Sequence, residues 1–225
     1  MGRVDSEQRA NILEAAVRVF AEKGRRGTSI RMVGAAAGVN SALIYYYFEN
    51  KDELFAESVR MVLRGFLAEL AADRRTFRGG RERLQWLVDH VFQYYSVHPE
   101  RLRLMAIALV LHGNLMGQCL APLLREGVPL PLEVLRVGMD AGELRRQNPV
   151  AAWWNIIGIC LFNLFTREVS AGIDWGSAGI EQPSAAERRD QILEVLSGGM
   201  VVPPGSVREA GMAKNVVRRM ARRRG

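Results

Sequence analysis

Apolar residues along this chain recur every three or four positions almost everywhere and nowhere alternate with a period of two. That spacing predicts helices and no strands. Ile12, Leu13, Val17 and Phe20 lie on one face of a first helix, which a basic turn and a glycine close at Lys23-Gly24. A short second helix runs from Ser29 to Ala36, with Thr28 or Ser29 as its cap. Gly38-Val39 forms a turn, and Asn40 or Ser41 caps a third short helix that ends near Phe48. Glu49 to Asp52 opens a long fourth helix with Phe55, Val59, Val62, Leu63, Phe66 and Leu70 on its stripe.

Gly79-Gly80 breaks the pattern. A fifth helix carries Leu84, Leu87, Val88, Val91 and Phe92 and stops at His98-Pro99, and Leu102 to Leu111 forms a sixth. Glycine and proline punctuation from Gly113 to Pro131 reads as irregular chain. Leu132 to Met139 is a seventh helix, Asn148-Pro149 starts an eighth that reaches Val169, and Ser184 to Leu196 is a ninth. Gly198 to Ser206 reads as a linker. The expectation is an all-α chain of about nine helices. Residues 1–52 form a helix-turn-helix unit, 53–198 a larger helical unit, and 199–225 a linker and disordered basic tail.

Composition narrows the class. Of 225 residues, 48% are hydrophobic, enough for a substantial core. Cys119 and Cys160 form no paired motif, so a reducing cytoplasm is expected. The Val150–Phe165 run, interrupted by Asn155 and Asn163, falls short of a membrane span, and no membrane partner is expected. The net charge of +7 sits at the ends: residues 1–52 carry 8 basic and 6 acidic groups, and residues 207–225 carry 7 and 1. Basic ends suit a polyanion. His90, His98 and His112 have no metal-ligand spacing, and no nucleophile, phosphate-loop or dinucleotide motif is present. The expectation is therefore no enzyme, no metal and no cofactor.

The informative stretch is Thr28 to Lys51. Two short helices flank a glycine turn, and neither is stable without packing from the helices on either side. It reads Thr28-Ser29-Ile30, Val33-Gly34, Ala37-Gly38-Val39-Asn40, Ile44-Tyr45-Tyr46-Tyr47-Phe48 and Lys51-Asp52-Glu53-Leu54. This ordered series closely resembles the TetR family of helix-turn-helix regulators. The rest of the chain resembles it only in layout, including Ala141-Gly142-Glu143-Leu144-Arg145.

The resemblance implies a double-stranded DNA operator as partner. It implies that Ser29 caps the second helix and meets a phosphate, that Tyr45 places its phenol on the backbone, and that Lys51 meets a phosphate at a helix N-terminus. Ser41, Ala42, Leu43 and Tyr46 fall on positions that face base edges. Asn40 replaces the usual Ser, an equally good cap. Gly34 replaces Ala, a cost of about 1 kcal/mol in helix propensity. The third helix carries no Arg or Lys toward the bases, so the strongest guanine reader is absent there. Arg31 is the nearest candidate for a base or phosphate, and Arg3 for a minor groove. Phe48 reads as core.

The resemblance also implies a homodimer through the last two long helices. Trp153, Trp154, Ile157, Leu161 and Leu164 are expected in its interface or in the core. Trp86, His90, Tyr94, Met105, His112 and Asn155 are candidate lining for an unknown, mostly apolar effector. The expected function is a ligand-responsive repressor. The alternative is an architectural or division-control DNA binder of the same fold that acts through a protein partner.

Overall fold

The structure is a computed structural model that describes residues 2–125 and 129–203; side chains are described from Asp5 onward, Glu168 excepted. Arg3 and the basic tail therefore lie outside the described side chains. Ten α-helices are present among the described residues: α1 (Gly2–Gly27), α2 (Ile30–Ala37), α3 (Ser41–Tyr47), α4 (Lys51–Ala72), α5 (Gly80–Val97), α6 (Pro99–Leu111), α7 (Gly113–Arg125), α8 (Leu130–Asp140), α9 (Pro149–Ala171) and α10 (Ala185–Met200). A single 3-10 turn lies at Gly176–Ala178. No strand forms among them; the one isolated bridge pairs Leu144 with Val201.

The helices divide into two compact units, residues 1–74 with 92–130, and residues 75–91 with 131–225. In the first, α1 packs on α2, α4 and α6, and α4 packs on α7. Ile12, Ala16, Val17 and Phe20 of α1 and Leu54, Phe55 and Val59 of α4 are fully buried there, with the Phe20 and Phe55 rings edge to face at 4.9 Å. Tyr94 and Tyr95, at the end of α5, pack with Phe66 of α4. The Tyr94 phenol donates to the Val62 carbonyl at 2.8 Å, so its polar end is satisfied in the interior.

In the second unit, α9 turns Ala152, Ile156, Ile157, Cys160, Leu161 and Leu164 inward, and α10, which packs on it, turns in Ile192, Leu193, Leu196 and Met200. Glu143 to Arg145 clasp the end of α10: the Arg145 N–H donates to the Met200 carbonyl and the Val202 N–H to the Glu143 carbonyl. Beside this clasp the Arg83 guanidinium, 9% exposed, donates to Glu143 at 2.6 Å and lies over the Phe77 ring.

Three expectations need correcting. The stretch read as irregular is mostly α7, with Met116, Cys119 and Leu123 as its buried stripe and Pro122 inside it. The stretch read as a linker from Gly198 continues α10 to Met200 and then pairs with Leu144. The first helix does break at Gly24, at φ 68° and ψ 169°, but helical chain resumes to Gly27. Of the alternatives expected as caps, Ser29 and Asn40 are the ones that accept from backbone N–H groups at a helix start, and Asn148 and Ser184, at the expected starts of the eighth and ninth helices, do the same.

Candidate nucleic-acid interface

A seven-residue helix such as α3 cannot hold itself in water, so its position depends on what it is tied to. Asn40 fixes its start, the side-chain oxygen accepting from the Leu43 N–H at 2.8 Å. Ile44 and Phe48 anchor it, at 0% and 1% exposure. Gly38 makes the reversal from α2 at φ 68°, a conformation that costs a residue with a Cβ. Gly34 has a role beyond its propensity cost: a Cβ there would stand 2.8 Å from the Val39 carbonyl oxygen, so its absence lets the turn press onto α2.

With Ile44 turned inward, α3 presents Ala42, Tyr45 and Tyr46 outward, the two tyrosines 56% and 73% exposed, with Ser41 and Leu43 half-exposed beside them. Large aromatics that open to water cost apolar surface, which makes this pair the conspicuous feature of the unit. Arg31 is exposed on α2. Ser29 is exposed as well, and its Oγ accepts from the Met32 N–H, leaving the hydroxyl proton to donate outward. Lys51 is half-exposed at the first turn of α4, with its ammonium donating to the Thr28 carbonyl at 2.9 Å. The Thr28 hydroxyl in turn donates to the Gly24 carbonyl. The turn before α2 and the start of α4 are thus knotted through one lysine. The expected DNA-facing residues all lie in this one unit.

Three further ties bind α1 to the helix pair, none of them singled out by the sequence. Arg9 reaches Glu57 at 2.8 Å and lies over the Phe48 ring. Asn11 donates to the Ala37 carbonyl, and the Tyr47 phenol donates to Asp5. Burial raises the Glu57 carboxyl, but hydrogen bonds from Arg9 and Arg60 outweigh it and hold the group below its ordinary range. Asp52 is likewise held low, first by its hydrogen bond from Arg25.

The candidate effector residues are divided between the two units. Trp86 is buried, with its ring against Phe77 and His90, and His90 Nδ1 lies 2.8 Å from the Trp86 carbonyl. Tyr94 and Met105 are buried in the other unit. There His112 closes α6 with its ring edge on Phe55, and burial, then Arg25 and Arg26, push its pKa down. Asn155 does not line an interior: it is exposed on the outer face of α9.

The residues expected in the interface or the core are divided by the structure: Ile157, Leu161 and Leu164 are buried in the chain's own core, and Trp153 is half-exposed. The bare face of α9 instead carries Val150, Trp154, Phe162 and Val169, and α10 leaves Val195 at 68% exposure. At 23 residues, α9 is long and apolar enough to cross a membrane, contrary to the shorter run read from sequence, and little of it is covered within the chain.

Residues 12–58 match the model of the bacterial regulatory proteins of the tetR family. The HTH-type transcriptional repressor NicS of Pseudomonas putida is 31% identical over 158 residues, 68% of this chain and 74% of NicS. A TetR family transcription regulator from Marinobacter aquaeolei shares the fold at TM-score 0.68 and 17% identity, over 90% of this chain and all of that one. The FadR regulator of Bacillus subtilis, solved with stearoyl-CoA, shares it at TM-score 0.65 and 19% identity, over 84% of this chain and 98% of FadR. With the helix-turn-helix geometry and a relative aligned across two-thirds of its length, this chain belongs to the TetR family of DNA-binding transcriptional regulators.

Proposed function

We propose that this chain is a cytoplasmic homodimeric repressor, released from its operator by a small, mostly apolar effector. The observation that carries the DNA half is the outward face of α3, where Tyr45 and Tyr46 stand open beside Ser41, Ala42 and Leu43. Residues 1–52 act as the headpiece. Tyr46, Ala42 and Leu43 meet base edges and thymine methyls, and Ser29, Tyr45 and Lys51 meet phosphates. Arg31 adds a phosphate or base contact, and Asn40 holds the helix start.

The homodimer rests on the bare face of α9 and α10. A second copy covers it with the same residues, as a two-fold interface requires. The interface therefore consists of Val150, Trp154, Phe162, Val169 and Val195, with Trp153 at its edge. Asn155 and Asn163 suit a protein cover better than lipid, since an amide side chain in hydrocarbon is costly.

The effector reading rests on composition: aromatic and aliphatic candidates stand in each unit by itself, Trp86 and His90 in one and Tyr94, Met105 and His112 in the other. FadR of Bacillus subtilis, which shares the fold, was solved with stearoyl-CoA, and this supports an effector with a large apolar part. An effector acts by binding one arrangement of the dimer better than the other.

The test is selection of duplexes from a random pool, followed by affinity measurements over a range of salt. A Tyr45→Phe, Lys51→Ala double variant should bind the selected duplex more weakly than wild type. Lys51→Ala alone should reduce the salt slope by about 1 and weaken all sequences alike. Normal operator binding by the double variant would refute the headpiece assignment.

A further inference from the structure

The third helix ends on three consecutive tyrosines, and only the last is tied down. Tyr47 donates its phenol to the Asp5 carboxylate at 2.5 Å, a contact between residues 42 apart in sequence. Its ring meets the Tyr46 ring edge to face at 4.9 Å and tilts against Phe48. Tyr47 lies on the flank of α3 between the buried Ile44 side and the open face. Its ring is therefore the wall against which the 73% exposed Tyr46 rests. On a helix this short, a bond at the last residue governs how the outward side chains are aimed.

We propose that Asp5 and Tyr47 form a clasp that positions Tyr46 for operator reading, making Tyr47 a positioning residue for sequence discrimination. This rests on the reading of α3 as the DNA-facing helix. The clasp spans from the first turns of α1 to the far end of α3, opposite the Asn40 cap, so α3 is held at both ends. With the phenol free, the Tyr47 ring can swing, and Tyr46 loses its wall and must be ordered again on binding. Burial of the ring plays little part, because the bond is exposed. The bond does set the phenol's chemistry: its pKa is pushed up to about 12, chiefly because the Asp5 carboxylate accepts a hydrogen bond from the protonated phenol. Tyr47 therefore remains a donor at any working pH.

The experiment uses the full chain, the duplex selected by the wild-type protein, and an unrelated duplex of equal length. Tyr47→Phe keeps both ring contacts and removes only the bond; Asp5→Ala removes it from the other side. Each should weaken operator binding by about three- to tenfold, with affinity for the unrelated duplex and the melting temperature unchanged. Asp5→Asn should restore wild-type discrimination, because an amide oxygen accepts the same phenol. The Tyr47→Phe, Asp5→Ala pair should be no worse than either single change, since one bond is lost in all three.

Loss of affinity for both duplexes together, or additive losses, would overturn the clasp. Tighter binding of both duplexes by Asp5→Ala and Asp5→Asn would also overturn it, since Asp5 would then act only as a negative charge near DNA. A wild-type protein that selects no sequence would overturn the DNA reading as well. A selected duplex bound normally by Tyr47→Phe would overturn the clasp alone.

Discussion

Phe162 is 67% exposed on α9, the most open aromatic on the bare face of that helix. A phenylalanine offers roughly 150–250 Å² to burial, so about two-thirds of it, some ~100–170 Å², is open. At ~25 cal/mol per Å² of apolar surface this amounts to about 2.5–4 kcal/mol on being covered. A two-fold interface uses each residue twice. Truncation to alanine, which keeps the Cβ, should cost about 4–6 kcal/mol per dimer, or roughly a thousand- to ten-thousandfold in dissociation constant. Sedimentation velocity from nanomolar to micromolar protein reads this directly. Wild type should sediment as a dimer, Phe162→Ala should dissociate within that range, and Phe162→Glu should remain a monomer. Helicity should be kept in each, because the side chain supports nothing in its own subunit. Leu161→Ala is the contrast: at 4% exposure it belongs to the interior, so it should lower the melting temperature, with a loss of about 2–5 kcal/mol. Dissociation of Phe162→Ala at the wild-type concentration would refute the assignment of this face. A wild-type monomer would refute the dimer, and recovery of the wild-type protein only with lipid vesicles would make the cover of α9 a membrane.

Two other perturbations test parts of the fold. Glu143→Ala should cost about 2–3 kcal/mol in urea unfolding, because it strands the Arg83 guanidinium, 9% exposed, without its partner; Arg83→Met should cost less, since it leaves no orphan charge. Glu57 has a folded pKa below its ordinary 4.5, so its contribution is complete above that value and is lost as pH falls through the folded pKa. The melting temperatures of wild type and Glu57→Gln should therefore differ at neutral pH and converge in acid, and a constant difference would show that the Arg9 and Arg60 contacts contribute nothing through charge.

What was legible in the sequence was what is decided locally. Ser29, Asn40, Asn148 and Ser184 cap helices because their side chains reach backbone N–H groups two or three residues ahead, and that needs no knowledge of the fold. Gly38 is legible for the same reason. The missed helix α7 shows the opposite case. Gly113, Gly117 and Pro122 read as punctuation, yet Met116, Cys119 and Leu123 carry a helical stripe, and packing of that stripe on α4 outweighs the weak propensities. The stripe was the available signal. The clasp of Glu143 to Arg145 onto the end of α10 left no signal, since it joins residues nearly sixty apart by backbone bonds alone.

The same distinction explains why the headpiece was read residue by residue and the second unit was not. On α3 the ordered motif and its resemblance to a known family gave each position its role, and the structure turns Ile44 and Phe48 in and Ala42, Tyr45 and Tyr46 out. On α9 every face is apolar. Periodicity there shows that the helix must be covered but cannot show which side its own chain covers. Ile157, Leu161 and Leu164 are as apolar as Val150, Trp154 and Phe162, and only the positions of the neighbouring helices separate them. On the proposed dimer, α9 has two covers, one from its own chain and one from a copy, and so carries two equivalent stripes. That redundancy makes the helix easy to find in the sequence and its interface impossible to phase without the fold.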